Sequence, residues 1–123
     1  MPETADSGFF RVDRQDDLAA VTVVRNRITD EDNVEQFGQS LIDLVETGGV
    51  RRLLVDASDL SYVTSSVLGK LIHVHRRMSR EGGRMVICSV RPELMEILEA
   101  TRLTTLFELA QDPAAGRFAL ANS

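Results

Sequence analysis

Several residue types are scarce in this chain of 123 residues. It contains no tryptophan and a single cysteine, Cys88, and aromatic residues make up only 5% of the sequence. One cysteine cannot form an internal disulfide, so a disulfide scaffold is excluded and a reducing cytoplasm is the expected location. No apolar run approaches the roughly 20 residues that a membrane-spanning helix requires. Residues 1–8 have neither a basic start nor an apolar segment, so we predict no secretion signal and no membrane span.

No run of basic residues is long enough to follow a nucleic-acid backbone. The 19 acidic residues outnumber the 14 basic ones and give a formal net charge of -5, which is the wrong sign for neutralising phosphates. We therefore expect no nucleic-acid partner. The hydrophobic share of 43% is ordinary for a folded protein. Length and composition predict one domain over residues 1–123, with a core of about 9–110 and peripheral segments at 1–8 and 112–123.

Short apolar runs are separated by longer segments with helical periodicity. Val34, Phe37, Leu41, Leu44 and Val45 recur at intervals of three and four residues, which is typical of an amphipathic helix. The apolar runs in the middle of the chain do not alternate with polar residues, as expected for strands covered on both faces. The patterns predict strands at 9–14, 18–24, 51–56 and 84–89. They predict a first helix from Thr29 or Asp30 to the glycines 48–49, a second at about 66–81 and a third from Pro92 onward. A short edge strand at 106–109 and a terminal helix at 113–120 follow.

The order of these elements predicts an α/β fold. The first two strands are separated only by Gln15-Asp16-Asp17, which indicates an antiparallel hairpin. The later connections each exceed ten residues and contain a helix, which favours parallel neighbours. We therefore predict a small mixed β-sheet flanked by helices, in the order β-β-α-β-α-β-α with a final short strand and helix.

The polar segment between the strand at 51–56 and the helix at 66–81 is the most informative part of the sequence. It reads Asp56-Ala57-Ser58-Asp59-Leu60-Ser61-Tyr62-Val63 and continues as Thr64-Ser65-Ser66-Val67-Leu68-Gly69. It resembles the STAS family, whose members carry an acidic residue at the end of this strand and an Asp-Ser-Ser-Gly-Leu-Gly motif at the start of this helix. A second stretch, Leu98-Glu99-Ala100-Thr101-Arg102-Leu103 with Leu106-Phe107, is similar to the end of the family's third helix. The resemblance covers roughly residues 9–110.

The resemblance implies a STAS fold and a regulatory binding function, not an enzyme. In bacterial anti-sigma factor antagonists of this family, a serine at the position of Ser65 is phosphorylated by a histidine-kinase-like serine kinase that is also the anti-sigma factor. The unmodified domain binds this kinase and frees the sigma factor for transcription, whereas the phosphorylated domain dissociates. The resemblance therefore implies phosphorylation at Ser65 (alternatively Thr64 or Ser66), no cofactor, and a partner-binding surface of Asp56, Ser58, Thr64, Ser65, Ser66, Val67 and Gly69.

Two residues depart from the family motif. Thr64 stands where an acidic residue usually precedes the phosphoacceptor, and Val67 replaces a glycine that would let a partner's backbone approach closely. Two functions therefore stay open: a domain switched by phosphorylation, and a constitutive interaction or scaffold domain that is never modified. In either case Thr64 or Ser65 is expected to cap the second helix, and Asp56 can accept hydrogen bonds from loop amides.

Enzymatic and metal chemistry have less support in the residues. A hydrolase would use Ser65 as nucleophile with His73 or His75 as base, but the chain lacks a glycine-flanked serine turn. The two histidines are two residues apart and point to different sides of the helix, which is unsuitable for shared metal binding. We expect His75 to be partly packed in the core and His73 to be solvated. The residues Arg76, Arg77 and Arg80 are expected to form a solvated face or to pair with an acidic partner surface.

Overall fold

The computed structural model describes residues 4–6 and 8–121. Each predicted helix and strand is present, with ends that differ from the prediction by one or two residues. In chain order the elements are β1 (Thr4–Asp6), β2 (Phe10–Gln15), β3 (Leu18–Val23), β4 (Arg27–Ile28), α1 (Glu31–Gly48), β5 (Arg52–Asp56), β6 (Tyr62–Val63), α2 (Ser65–Arg80), β7 (Arg84–Cys88), α3 (Pro92–Ala100), a 3₁₀ turn (Leu103–Thr105), β8 (Glu108–Ala110) and α4 (Pro113–Ala121).

The main sheet has six strands in the order β1-β2-β3-β5-β7-β8. Its first three strands are antiparallel neighbours. The remaining pairs, β3 with β5, β5 with β7 and β7 with β8, are parallel. The predicted α/β fold with a mixed sheet and an N-terminal hairpin is therefore confirmed. Because the last three strands run in the same direction, their carboxyl ends meet at one edge of the sheet.

Both faces of the central strands are covered. Leu53 and Val55 of β5 belong to a large apolar cluster that includes residues of α1, α2 and α3. Leu54, between them, belongs to a second cluster on the other face of the sheet, where it packs with Leu120 of α4. This arrangement explains the missing alternation in β5 and β7, because side chains on either face of the sheet are removed from water.

Both ends of the described chain form regular secondary structure. Residues 4–6 lie in the segment expected to be peripheral, yet they form β1 and place Ala5 opposite Val12. The helix α4 was also expected to be peripheral, but Leu120 is only 1% exposed and packs with Val86 and Cys88. The second face of the sheet carries apolar side chains that would otherwise contact water, so α4 is required to complete the core. The expectations for residues 1–3, 7 and 122–123 lie outside the described residues.

The ends of α1 follow directly from the residues found there. The Asp30 side chain accepts hydrogen bonds from the backbone N–H of Asp32 at 2.9 Å and of Asn33 at 3.4 Å, so Asp30, and not Thr29, caps the helix. At the other end Gly49 adopts the left-handed conformation with φ of 67°, which glycine accepts without steric strain. The predicted boundaries of this helix are confirmed.

A second, very small sheet was not predicted. β4 and β6 pair in parallel, with Arg27 opposite Tyr62 and Ile28 opposite Val63. Ile28 and Val63 are buried in the main core. Two-residue strands carry no periodicity, so the sequence showed only a loop here. β4 precedes α1 and β6 precedes α2 in the chain, so this pairing fixes the segment that leads into α2.

Candidate functional site

The loop after β5 is folded tightly onto the carboxyl edge of the sheet. The half-buried Asp56 accepts a hydrogen bond from the backbone N–H of Ser58 at 2.9 Å, as the sequence predicted. The backbone N–H of Ala57 donates to the carbonyl of Cys88 at 3.0 Å, and that of Leu60 donates to the carbonyl of Ala57 at 3.0 Å. Ala57 and Leu60 are both buried. The loop is therefore held by its own turn, by the neighbouring strand and by the core.

The second half of this loop is tied to the segment that precedes α1. The backbone N–H groups of Ser61 and Tyr62 donate to the carbonyl of Asn26, at 2.8 Å and 3.3 Å. The side-chain amide of Asn26 in turn donates to the carbonyl of Asp59 at 3.3 Å. These hydrogen bonds, together with the pairing of β4 and β6, fix the path of the chain up to the start of α2.

Thr64 occupies the N-cap of α2, as predicted, but without the usual side-chain hydrogen bond. Its backbone is extended, with φ of -85° and ψ of 166°, and its side chain caps no amide. The Thr64 carbonyl accepts from the N–H of Val67 at 3.1 Å. The Thr64 hydroxyl oxygen is buried and has no hydrogen-bond partner among the described residues. Thr64 therefore contributes its backbone to the helix start, while its hydroxyl is inaccessible to solvent.

Ser65 and Ser66 occupy the first turn of α2, and both are exposed. No acidic residue lies in this turn. Helix geometry leaves the first amides of a helix without internal partners, so this end has a partial positive charge. The structure thus displays two serine hydroxyls at a helix N-terminus that is favourable for an added negative charge.

Val67, by contrast, does not belong to the exposed surface. Its side chain is 0% exposed and packs in the main cluster. The Val67 side chain therefore faces the sheet, and any contribution of this position to partner binding would come through its backbone. For the same reason, a valine at this motif position leaves the outer surface of α2 unobstructed.

Gly69 lies on the exposed side of α2. A Cβ added to Gly69 would meet no heavy atom within 4 Å, so nothing in the packing of this chain requires glycine there. Gly38 on α1 differs, because a Cβ added there would lie 2.6 Å from Cδ of Lys70. Gly38 therefore has a packing role between the two helices, whereas Gly69 has none within the described residues. A glycine without an internal role leaves a bare stretch of helix surface where another chain can approach.

An exposed aromatic residue beside the serines was missed by the sequence reasoning. Tyr62 is 45% exposed, and the guanidinium carbon of Arg27 lies 4.9 Å from the centre of its ring. Cation–π contacts of this kind are modest at exposed sites. Exposed tyrosine and arginine are common at protein interfaces. The sequence feature that could have identified Tyr62 is an aromatic residue within the polar loop that immediately precedes α2.

The two histidines are placed as predicted. His73 is exposed, and His75 is half-buried with its ring edge-on to Phe107 at 5.9 Å between ring centres. Along the axis of α2, His73 and His75 are about 12 and 15 Å from Ser65, at 1.5 Å of rise per residue. Neither ring can accept a proton from the Ser65 hydroxyl at this separation, which argues against the hydrolase alternative.

Cys88 lies at the carboxyl end of β7 and is fully buried, and burial raises the pKa of its thiol. It behaves as a small core residue and not as a reactive thiolate. The described residues contain no group of three or more His, Cys, Asp or Glu side chains that could hold a metal ion. Within the same residues, no helix is long and apolar enough to cross a bilayer.

Comparison with known families and sequences agrees with the motif. A family model described as the STAS domain matches residues 11–115, a range that contains the loop after β5 and all of α2. Among named proteins, the candidate anti-sigma factor antagonist BtrV of Bordetella bronchiseptica is 28% identical over 88 residues, which is 70% of this chain and 75% of BtrV.

Solved structures share the architecture at lower sequence identity. An anti-sigma factor antagonist (STAS) domain protein from Planctomyces limnophilus has a TM-score of 0.81 at 22% identity, covering 91% of this chain and 97% of that protein. The anti-sigma factor antagonist SpoIIAA has a TM-score of 0.70 at 13% identity in its unphosphorylated form, covering 93% of this chain and 98% of that one. The phosphorylated form of SpoIIAA from Bacillus gives 0.64 at 15% identity, covering 94% and 96%. These likenesses concern the fold.

Proposed function

The chain belongs to the STAS domain family, and on this premise we propose that it is a binding module of the anti-sigma factor antagonist type, switched by phosphorylation of Ser65. Unmodified, it binds a histidine-kinase-like serine kinase that also acts as an anti-sigma factor. Phosphorylated, it releases that partner. The observation that carries the proposal is the exposed Ser65 at the first position of α2, at the end of a loop whose path is fixed by hydrogen bonds.

The environments of the three neighbouring hydroxyls favour Ser65 as the acceptor. The Thr64 hydroxyl oxygen is buried, so a kinase cannot reach it without rearranging the start of the helix. Ser66 lines the groove between α1 and α2, where Lys70 and Glu35 already form an ion pair, so a phosphate on Ser66 would compete with Glu35 for Lys70. Ser65 instead lies on the outward side of the helix, away from α1. A phosphate there can project into solvent or towards a partner.

A phosphate on Ser65 would be tolerated by the domain but not by a complex. It adds a charge of about -1.5 to -2. The partial positive charge of the helix N-terminus stabilises an anion there, so the fold is retained. In an interface the same group must lose its water against apolar or acidic partner atoms. A penalty of about 4 kcal/mol weakens binding roughly a thousandfold.

The relatives support the same type of function. BtrV is named as a candidate anti-sigma factor antagonist, and SpoIIAA is known in an unphosphorylated and a phosphorylated form. The Val67 departure from the family motif does not weaken the proposal, because that side chain is buried. The Thr64 departure removes a carboxylate next to the acceptor, which leaves the phosphate fewer negative neighbours.

The first test is intact-mass analysis of the protein purified from its native cell. The proposal predicts a form carrying one added phosphate, and peptide mapping should place it on Ser65. The kinase that co-purifies after cross-linking can then be identified by mass spectrometry and used for binding. Titration calorimetry with the wild type, Ser65→Ala and Ser65→Asp should give tight binding for the first two and at least tenfold weaker binding for the third.

A matched control tests whether a negative charge must be at residue 65 to weaken binding. Gln111→Asp adds the same charge at an exposed residue that follows β8, and it should bind the kinase like the wild type. Equal binding by all four proteins would remove the switch and leave a constitutive interaction domain. A phosphate found on Ser66 would overturn the choice of acceptor.

A further inference from the structure

The outward side of α2 forms one continuous stripe. Ser65, Gly69, His73, Arg76 and Arg80 recur at intervals of three and four residues, so they share one face of the helix. All five are exposed. The stripe begins at the proposed phosphorylation site and ends with two arginines, about 16 to 22 Å further along the helix axis.

The charges on α1 and α2 are fully segregated. Every charged residue of α2 is basic and every charged residue of α1 is acidic. The two helices pack through the core, and at its edge Lys70 pairs with Glu35 at 2.8 Å and Arg77 with Glu46 at 2.7 Å. One flank of α2 is therefore occupied by an acidic helix of the same chain.

The opposite flank of α2 is basic but has no acidic counterpart. Within the described part of the chain, Arg76 and Arg80 form no ion pair, although both are exposed. They line a groove between α2 and the segment after the 3₁₀ turn, formed by His73, His75, Arg76, Ser79, Arg80 and Leu106. None of the described residues that line this groove is acidic. In a chain with a net charge of -5, this flank of α2 therefore carries a local positive charge that is complementary to an acidic segment.

We propose that this α2 basic groove binds an acidic segment of a partner protein. The guanidinium groups of Arg76 and Arg80 can each form paired hydrogen bonds with a carboxylate. The half-buried Leu106 supplies an apolar contact beside them. The acidic partner segment would form ion pairs with this flank of α2, as the acidic residues of α1 do with the opposite flank. The inference does not depend on phosphorylation of Ser65, although both surfaces lie on the outward side of α2 and one partner can cover both.

Nucleic acid fits this groove less well than an acidic polypeptide. Two arginines neutralise few phosphates, and the net charge of -5 repels a polyanion as a whole. A carboxylate-bearing segment carries fewer charges and can place an apolar side chain over Leu106. The charge complementarity that already joins α1 to α2 is the same chemistry on the other flank.

The test uses a fluorescein-labelled helical peptide of glutamate and leucine, with a lysine and leucine peptide of equal length as its counterpart. Fluorescence anisotropy should show saturable binding of the acidic peptide that weakens as salt is raised. Arg76→Gln combined with Arg80→Gln should lower the affinity at least tenfold. Arg11→Gln combined with Arg51→Gln changes the net charge equally at exposed positions outside α2, and this control should stay within twofold of the wild type.

NMR titration of the wild type gives a second measurement that needs no variant. Amide shifts should concentrate on residues 73–80 and on Leu106. The inference is overturned if the acidic peptide does not bind, if both double variants weaken it equally, or if the shifts lie elsewhere. It is also overturned if DNA competes better than the peptide, or if sedimentation shows that Arg76 and Arg80 serve to pair two copies of the chain. None of these results bears on the phosphorylation of Ser65.

Discussion

Replacing Gly69 with alanine should stabilise the domain and weaken its binding to the partner. An added Cβ would meet no heavy atom within 4 Å, so the substitution has no packing penalty in this chain. Alanine in a helix interior is favoured over glycine by about 0.5 to 1 kcal/mol. For a domain of this size, a gain of 1 kcal/mol raises the melting temperature by about 3 to 6 °C.

Urea unfolding followed by circular dichroism measures the stability change, and calorimetry with the native kinase measures binding. Gly38→Ala is the matched control, because its Cβ would displace Lys70 from the position in which it binds Glu35. We expect Gly38→Ala to gain less than Gly69→Ala or to lose stability. A destabilised Gly69→Ala would refute the packing argument. A stabilised variant with unchanged kinase binding would show that the bare helix surface at Gly69 is not used by the partner.

Three further predictions concern single side chains. Thr64→Val removes a buried hydroxyl that has no hydrogen-bond partner among the described residues, so urea unfolding should show a gain of about 1 kcal/mol; a loss would mean that the hydroxyl is satisfied. Leu120→Ala opens the cluster beneath α4 and should cost about 2 to 4 kcal/mol in the same assay, whereas a change below 0.5 kcal/mol would show that α4 is dispensable. The hydrogen bond from Arg52 lowers the pKa of Asp17 below 3.8. The ionised carboxylate therefore stabilises the folded state above pH 3.8, and this stabilisation is lost as the pH falls through the lowered pKa. The stability difference between wild type and Asp17→Asn should be constant near neutral pH and shrink below pH 3.8; a difference that grows in acid would contradict the assignment.

The sequence predicted the elements whose signals are strong and local. Asp30 and Gly49 mark the ends of α1 by side-chain capping and by a left-handed turn. Both roles are predictable from sequence, because aspartate is a preferred N-cap residue and glycine readily adopts the left-handed conformation. The unbroken apolar run of β5 correctly indicated a strand covered on both faces. The exposed serines at the start of α2 likewise followed from a strand, a polar loop and a helix in succession.

The errors arose where structure depends on distant partners. β6 consists of only Tyr62 and Val63, and it exists because residues 27–28 lie alongside it. The helical periodicity places Val67, Leu71 and Met78 on one apolar side of α2, in agreement with their burial, whereas the family motif alone counts Val67 among the partner-binding residues. The terminal helix α4 has only a weak periodic pattern, so its packing against the second face of the sheet does not follow from the local sequence. These features follow from tertiary packing, which overrides local preference.

The hydrogen bonds at Asn26 have a mechanical consequence. Its carbonyl receives two amides from the loop before α2, and only three residues separate it from Asp30, the N-cap of α1. The segments that lead into the two helices are therefore hydrogen-bonded to one another. A phosphate on Ser65 would therefore change the charge of the surface at the start of α2, while the backbone of the loop and helix keeps its conformation.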